Sequence, residues 1–219
     1  MKKYFETLKE VELFKDLSDI DIENILSGLT PQLKEYKKGD IIFNSGDIVQ
    51  EVGIVLYGKV YILKEGYLGN RNILAEINKG GIFAEAFSCA KIKKIPVSVM
   101  ASMETKILFI DYIKILKTNT YGCMLHTKII ENMMFILAKK NIMMNQKIEH
   151  ISKRTTKEKL LSYLYSQAQI FGGKSFEISL NRQELADFLC VERSAMSNEL
   201  SKLREDGIIK FNKNTFEIL

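Results

Sequence analysis

Hydrophobic and polar positions change their period along this chain, and each change predicts a different kind of element. In residues 8–29 apolar residues recur at helical spacing between acidic ones, and Ser18 followed by Asp21 can cap the second part of this segment. From residue 33 to residue 110 the period is two, and glycine-containing turns separate the short alternating runs. Several short strands punctuated in this way are typical of an antiparallel barrel or roll, so we predict a jelly-roll-like antiparallel β-roll.

A helical period returns after residue 110. Residues 111–117 predict a short helix, and residues 123–151 predict a long one. Six residues of the long helix recur at spacings of four and three and form a heptad seam, namely Ile130, Met134, Leu137, Asn141, Met144 and Ile148. A single asparagine in such a seam fixes the register of two-stranded coiled coils, so the seam predicts a homodimer.

A second apolar stripe on the long helix predicts that it also packs on its own β-roll. This stripe consists of Leu125, Ile129, Met133 and Ile136. The alternative to a dimer seam is therefore a core helix that is buried on two sides within one chain.

The pattern breaks at residues 152–156, and we place the hinge between domains at residues 152–155. Thr155 and Glu158 have the spacing of a capping box, which predicts a new helix over residues 157–170. We therefore predict an α+β protein with three parts. A β-roll sensor domain spans residues 1–118, a dimerisation helix spans 119–151 and a C-terminal domain spans 152–219.

Residues 181–206 predict two short helices joined by a tight turn. Asn181 and Glu184 have the spacing of a second capping box. The apolar residues that follow Glu184, up to Leu189, lie on one face of the predicted helix. In the second helix Met196, Leu200 and Leu203 face inward. This arrangement is typical of a helix-turn-helix, although two short amphipathic helices also occur in many all-α proteins.

The outer face of the second helix carries arginine, serine, asparagine and lysine, whose donors can reach base edges and phosphates. Gly207 suits the left-handed position after the helix, and two β-rich runs around residues 212–214 follow. Together these features predict a winged helix-turn-helix that binds DNA.

Composition narrows the class of protein. The chain has 219 residues, of which 46% are hydrophobic, and no apolar run approaches the ~20 residues that span a bilayer. The N-terminus lacks the apolar segment of a signal peptide, so we expect a cytoplasmic protein without a membrane contact. The three cysteines are odd in number and widely spaced, which indicates free thiols in a reducing compartment. A net charge of +5 allows DNA binding without requiring it.

Three sensor segments and the C-terminal motif resemble the Crp/Fnr family of bacterial transcription regulators. The sensor segments are KKGDIIFNSGD, VGIVLYGKVYILK and RNILAEINKGGIFAEAF, and the C-terminal motif is NRQELADFLCVERSAMSNELSKLREDGII. The resemblance implies a homodimer, not an enzyme, which binds a two-fold operator in double-stranded DNA near promoters and contacts RNA polymerase.

The same resemblance locates an effector pocket whose residues depart from those of the family. Where the family has Gly-Glu, this chain has Ala84 and Glu85, and where the family has an arginine followed by serine or threonine, it has Ile95 and Pro96. The polar pair on the dimer helix falls at Met144 and Asn145, and Ala86 and Val97 complete the expected pocket. A cyclic phosphate needs a fixed cation or a fork of donors, so we expect an unidentified effector other than cAMP.

Other sensor chemistries of the family find no support in the residues. No cysteine precedes Cys89, which argues against an iron–sulfur cluster, and the lone His126 and His150 make poor axial ligands for haem. A Cys–His zinc site fails on spacing. We therefore predict neither a cofactor nor a metal site.

The DNA-binding helix also departs from the family pattern. Arg193 is retained, but Ser194 and Asn198 stand where the family has glutamate and arginine, so the operator half-site is expected to differ from the best-known one. Cys190 replaces the glycine that is usual in the turn, which predicts backbone strain. The predicted DNA-binding residues are Arg182, Gln183, Arg193, Ser194, Ser197, Asn198 and Lys202.

Two other classes of protein compete with a transcription regulator. A cyclic-nucleotide-type ligand-binding regulatory subunit without a DNA role would need an intact phosphate cassette and no DNA-reading helix. An enzyme of the cupin type would need clustered histidine and carboxylate ligands, and residues 33–110 contain no histidine.

Overall fold

The computed structural model describes residues 4–29, 31–65, 71–117 and 123–219. The chain divides into two compact units, Met1–Ala138 and Lys139–Leu219. The three-part division predicted from the sequence stays a prediction, and its boundary at residue 118 lies outside the described residues.

The first unit opens with helix α1 (Phe5–Glu10), a 3-10 turn (Glu12–Phe14) and helix α2 (Asp19–Leu29). The predicted cap is present, because the Ser18 hydroxyl oxygen accepts from the Asp21 backbone N–H at 3.3 Å and Asp21 Oδ2 accepts from the Ser18 backbone N–H at 3.1 Å. The helical segment expected over residues 8–29 therefore forms, but in separate short pieces.

Eight strands of the first unit form two antiparallel four-stranded sheets. One sheet has the strand order β1-β8-β3-β6 and the other has the order β2-β7-β4-β5. The strands are β1 (Gln32–Tyr36), β2 (Ile41–Phe43), β3 (Val52–Tyr57), β4 (Lys59–Glu65), β5 (Arg71–Asn78), β6 (Ile82–Phe83), β7 (Ser98–Ala101) and β8 (Thr105–Ile110). This is the antiparallel roll that the period of two predicted.

Alternation along β8 explains how the first sheet is covered on both faces. Ile107 and Phe109 belong to the core that this sheet shares with the second one, whereas Leu108 and Ile110 pack with the helices. In the shared core the rings of Phe43, Phe83 and Phe109 contact one another at centre-to-centre distances of 5.6–6.2 Å. The middle of the roll is thus filled by aromatic and branched side chains.

Three helices complete the first unit, and the last continues into the second unit. They are α3 (Glu85–Cys89), α4 (Tyr112–Lys117) and α5 (Cys123–Ile151), the last with the predicted bounds. Ile129, Met133 and Ile136 are buried in the helical core of the first unit, which confirms packing by the second apolar stripe. Asn132 is also buried on this side, and its amide donates to the carbonyls of Leu13 and Lys15.

The second unit contains the end of α5 and a winged helix-turn-helix. Its elements are α6 (Thr156–Phe171), β9 (Ser175–Glu177), α7 (Arg182–Phe188), α8 (Arg193–Glu205), β10 (Ile209–Asn212) and β11 (Thr215–Ile218), and the strand order is β10-β11-β9. Both predicted capping boxes are present, at Thr155 with Glu158 and at Asn181 with Glu184. The hairpin predicted around residues 212–214 is β10–β11.

Candidate DNA interface and sensor site

Helix α8 has the two faces that a recognition helix needs. Met196, Leu200 and Leu203 are buried in the core of the second unit together with Leu185 and Ala186 of α7. This apolar frame fixes the rotation of α8 about its axis and therefore decides which residues point outward.

The outward face of α8 presents the predicted polar set. Arg193, Ser194, Ser197, Asn198 and Lys202 are all exposed. The Ser197 hydroxyl donates to the carbonyl of Arg193 at 2.9 Å, and Lys202 Nζ bonds to Glu199 Oε1 at 2.7 Å. The hydrogen bond that Lys202 donates to Glu199 raises the pKa of Lys202, so this ammonium stays charged. The face offers a guanidinium, an amide and an ammonium on a rigid scaffold.

The turn between α7 and α8 is tight and contains no glycine. Its central residue, Cys190, adopts a left-handed conformation with φ of 52° and has an exposed side chain. The backbone of Val191 donates to the carbonyl of Ala186 at 3.0 Å and closes the turn. The left-handed backbone is the one for which glycine is usually required, so the strain expected from the sequence has a structural counterpart.

The remaining two predicted DNA-binding residues open α7. Gln183 is exposed and donates from Nε2 to Asp187 at 2.9 Å. Arg182 is half-buried, and its Nη2 donates to the carbonyl of Lys213 in the wing turn at 2.6 Å. The sequence did not single out Lys213 as a functional residue, because no spacing rule relates it to Arg182.

The residues expected to hold an effector lie in or beside the core of the roll. Ala84 precedes α3 in a left-handed conformation with φ of 65°, and Glu85 is buried at its first position. Ile95 is 1% exposed and belongs to the core shared by the two sheets. Its backbone is fixed by hydrogen bonds with Gly46 and Asp47.

An apolar side chain therefore occupies the place where the resemblance expects an arginine. Val97 is buried as well, whereas Ala86 and Pro96 are exposed. A cavity of about 480 Å³ beside α3 and α4 is lined by other residues, among them Gln50, Ser88 and Lys91.

The seam residues of α5 fall into two groups. Met134 is 65% exposed, Met144 65% and Ile148 54%, and Asn141 is exposed too. Ile130 and Leu137 are half-buried, and Leu137 packs against the helical core of the first unit. Asn145 is exposed, and its amide donates to Asn141 Oδ1 at 3.0 Å. Three large apolar side chains of the seam, those of Met134, Met144 and Ile148, are therefore in contact with solvent.

Two further features bear on the class of protein. Among the described residues, no group of histidine, cysteine, aspartate and glutamate side chains is placed to hold a metal ion. In the part of the chain that the structure describes, no helix combines the length and apolar content that crossing a bilayer requires.

Models of known families match a segment in each of the two units of the chain. The family model described as "Cyclic nucleotide-binding domain" matches residues 33–118, and the one described as "Crp-like helix-turn-helix domain" matches residues 158–219. Together the two matches span more than half of the chain.

The matches with individual relatives extend over nearly the whole chain. The chain is 23% identical over 214 residues to the Cyclic AMP receptor protein of Thermus thermophilus, a match that covers 96% of this chain and 94% of that protein. A variant of CooA from Carboxydothermus hydrogenoformans superposes with a TM-score of 0.63 at 20% identity, covering 93% of this chain and 87% of that one. The c-di-GMP responsive global regulator CLP of Xanthomonas campestris gives a TM-score of 0.62 at 17% identity, with coverages of 92% and 99%.

The likeness to these structures shows the fold, and the two domain matches occur in the same order as the β-roll and the winged helix-turn-helix described above. The chain therefore belongs to the Crp/Fnr family of transcription regulators.

Proposed function

We propose that the protein is a homodimeric regulator that binds a two-fold DNA operator through α8. The observation that carries this proposal is the division of α8 into a buried apolar frame and an exposed face with Arg193, Ser197 and Asn198. An arginine can contact guanine bidentately and an asparagine can contact adenine, so the face is suited to reading base edges in the major groove. Ser194 and Lys202 extend the same face toward the sugar–phosphate backbone.

Dimerisation would make this binding specific for a palindromic site. The exposed seam side chains of α5 can pair two copies in register, with Asn141 as the single polar residue of the seam. A two-fold dimer presents its recognition helices about one DNA turn apart, ~34 Å. The proposal includes contact with RNA polymerase and a cytoplasmic location, as expected for a regulator of this family.

An effector other than cAMP would control this binding. The cAMP phosphate needs a fixed cation. At the position where the family has an arginine, this chain has the buried apolar side chain of Ile95. One similar regulator is named as a receptor of cyclic AMP and another as responsive to c-di-GMP, so the shared fold is compatible with different signals.

The proposal is tested by DNA binding of the full-length protein. From a random pool of DNA duplexes, those that bind the purified protein at moderate salt are enriched. The affinity of the protein for the enriched sequence is then measured. We expect a palindromic sequence whose half-site centres lie one helical turn apart. Enrichment of no duplex, or of an asymmetric single site, would contradict it, and native mass spectrometry of the same sample would report the dimer and any retained small molecule.

A further inference from the structure

A crevice in the first unit is distinct from the residues that the sequence predicted as an effector pocket. It has a volume of about 480 Å³, and its walls come from the loop before β3, the end of α3 with the segment after it, and α4. This volume is in the range of small-molecule sites. The described residues that line this α3–α4 crevice include neither Ala84 nor Ile95, so it is a separate cavity.

Isoleucine side chains provide the apolar part of the crevice. Ile48 and Ile92 are exposed, and Ile113 of α4 is half-buried. Apolar side chains around one concave surface lose contact with water when an apolar group enters it, which favours binding. The crevice is therefore suited to the apolar body of a small molecule.

The charged side chains of the crevice have a positive balance. Lys91, Lys93 and Lys114 line it, and among its described lining residues Asp111 is the one acidic residue. Three ammonium groups against one carboxylate leave an excess of two positive charges. Asp111 Oδ2 lies 3.8 Å from Lys114 Nζ, and a pair of this length between partly exposed groups contributes little. The excess of positive charge favours an anion.

Backbone contacts fix the walls of the crevice. The Ser88 hydroxyl is buried and donates to the carbonyl of Gln50 at 2.8 Å, which ties α3 to the loop before β3. After α3, the backbone N–H of Ile92 donates to the carbonyl of Phe87 at 3.0 Å, and Lys91 adopts a left-handed conformation with φ of 53°. A non-glycine residue keeps this conformation only where its surroundings hold it. The backbone at Lys91 and Ile92 is thus set before any ligand binds.

Both helices of the crevice also pack on the core that holds α5. Tyr112 at the start of α4 is buried in this core together with Ile129 and Met133 of α5, and Cys89 at the end of α3 packs against it. A ligand between α3 and α4 would therefore act on the same core that holds the buried stripe of α5.

We propose that the α3–α4 crevice binds a small amphiphilic organic anion and that this anion is the effector of the protein. Its carboxylate or phosphate group is bound by Lys91, Lys93 and Lys114. Its apolar body contacts Ile48 and Ile92. The effector role rests on the proposed function, because it requires DNA binding, whereas the anion site does not.

The experiment titrates the full-length protein with octanoate, octyl phosphate, octylammonium and 1-octanol in a calorimeter. We expect one molecule of either anion to bind per chain, and the stronger of the two identifies the preferred head group. The neutral alcohol should bind more weakly than both anions, and octylammonium should not bind measurably. Affinity for the anions should fall as salt is added, because salt screens exposed charges.

Charge variants locate the head group. Lys91→Gln and Lys114→Gln should each weaken octanoate binding about two- to fivefold, as expected for partly exposed ion pairs. Lys94→Gln is the matched control, because it removes an exposed charge from the same segment outside the crevice lining. Asp111→Asn should act in the opposite direction and strengthen binding. Asparagine keeps an acceptor for the backbone N–H of Lys114, which bonds to Asp111 Oδ1 at 3.2 Å, and removes only the negative charge.

An isoleucine pair locates the apolar body. Ile48 and Ile20 are each 70% exposed, but Ile20 lies in α2 outside the crevice lining. Ile48→Ser should weaken binding of both octanoate and 1-octanol several-fold, and Ile20→Ser should leave both unchanged.

Operator affinity with and without saturating anion tests the effector role. We expect a change of about fivefold or more, and by linkage bound DNA must change the anion affinity by the same factor. Absence of anion binding, or equal losses in Lys91→Gln and Lys94→Gln, would overturn the site while leaving DNA binding intact. Anion binding that leaves operator affinity unchanged would overturn the effector role alone. A protein that binds the anions but no DNA would refute the proposed function and the effector role, while the anion site would stand.

Discussion

Arg193 is the residue on which sequence-specific binding depends most directly. It is exposed at the first position of α8, where a guanidinium can reach a guanine edge. We expect Arg193→Ala to weaken binding to the selected operator by ~1–3 kcal/mol and to relax specificity at one base pair. Lys202→Ala is the matched comparison on the same face and should weaken all sequences alike. Unchanged operator affinity in Arg193→Ala would mean that α8 does not enter the groove as proposed.

Cys190 offers a test of strain in the helix-turn-helix turn. Its φ of 52° lies in the left-handed region, where a Cβ atom costs roughly 1–2 kcal/mol. Glycine removes that cost but adds backbone entropy to the unfolded chain, so we expect Cys190→Gly to raise stability by ~0.5–1 kcal/mol. Thermal unfolding of the full chain measures this, with Cys190→Ala as the control that keeps the Cβ atom. An equal gain in both variants would assign the effect to the thiol instead of the backbone.

Ile95 leads to a prediction about the effector. Because its side chain is in the core of the roll and brings no positive charge, we expect cAMP to leave the melting temperature unchanged. A ligand that binds only the native state must raise that temperature, by an amount that grows with the ratio of its concentration to its dissociation constant. Thermal unfolding with and without millimolar cAMP is the measurement. A clear cAMP-dependent rise would show that other residues of the roll bind the cyclic phosphate.

Local residue signals could be predicted from the sequence, whereas contacts between distant residues could not. The capping boxes at Thr155 and Asn181 depend on residues three positions apart, and both form as expected. The stacking of Arg182 on Phe211 and Phe216 depends on how the wing folds back on α7. Nothing in the spacing of these residues reveals it, so Arg182 was expected only as a DNA contact.

At the scale of elements, the end of α5 and the start of the DNA-binding domain are joined through one buried histidine. His150 Nδ1 lies 2.8 Å from the hydroxyl of Ser162 and Nε2 lies 3.3 Å from that of Ser166. Ser166 donates its own hydrogen to the carbonyl of Tyr163, so we assign the ring as neutral with the proton on Nε2. The edge of the ring also meets the Tyr163 ring at 5.8 Å. From the sequence, His150 was considered as an axial ligand for haem, and in the structure α6 covers this residue.

The contacts of His150 with α6 should weaken in mild acid. Burial lowers the pKa of His150, and of its two charged neighbours Glu149 in the same helix opposes the shift while Lys153, just after the helix, adds to it. The unfolded chain takes up a proton near pH 6.5 while the folded joint resists it, so stability falls as pH drops below about 6.5. We expect amide protection in α6 to decrease from pH 7.5 to pH 5.5. In His150→Gln this decrease should be smaller, and an identical pH dependence in both proteins would rule out the histidine.

At the scale of the whole molecule, α5 runs from the first unit into the second, and in the proposed dimer it also pairs two copies. Its buried stripe was readable from the pattern of apolar residues, because their period fixes the faces of a single helix, and four of the six seam residues are exposed. The seam with its single Asn141 predicts that a second copy covers the exposed face, and the described chain contributes apolar side chains in contact with solvent. Met134 and Met144 are each 65% exposed, too much for residues of a core helix buried on two sides within one chain.

Met134→Glu tests the dimer and its consequence for DNA. Two carboxylates facing each other across a seam are desolvated and repel, so we expect the variant to sediment as a monomer where the wild-type protein is a dimer. Operator affinity should fall by more than tenfold, since each copy then binds only one half-site. Met124→Glu is the matched control, because Met124 is 87% exposed on the same helix but lies outside the seam. A monomeric wild-type protein, or a Met134→Glu variant that stays dimeric with full operator affinity, would show that another surface pairs the recognition helices.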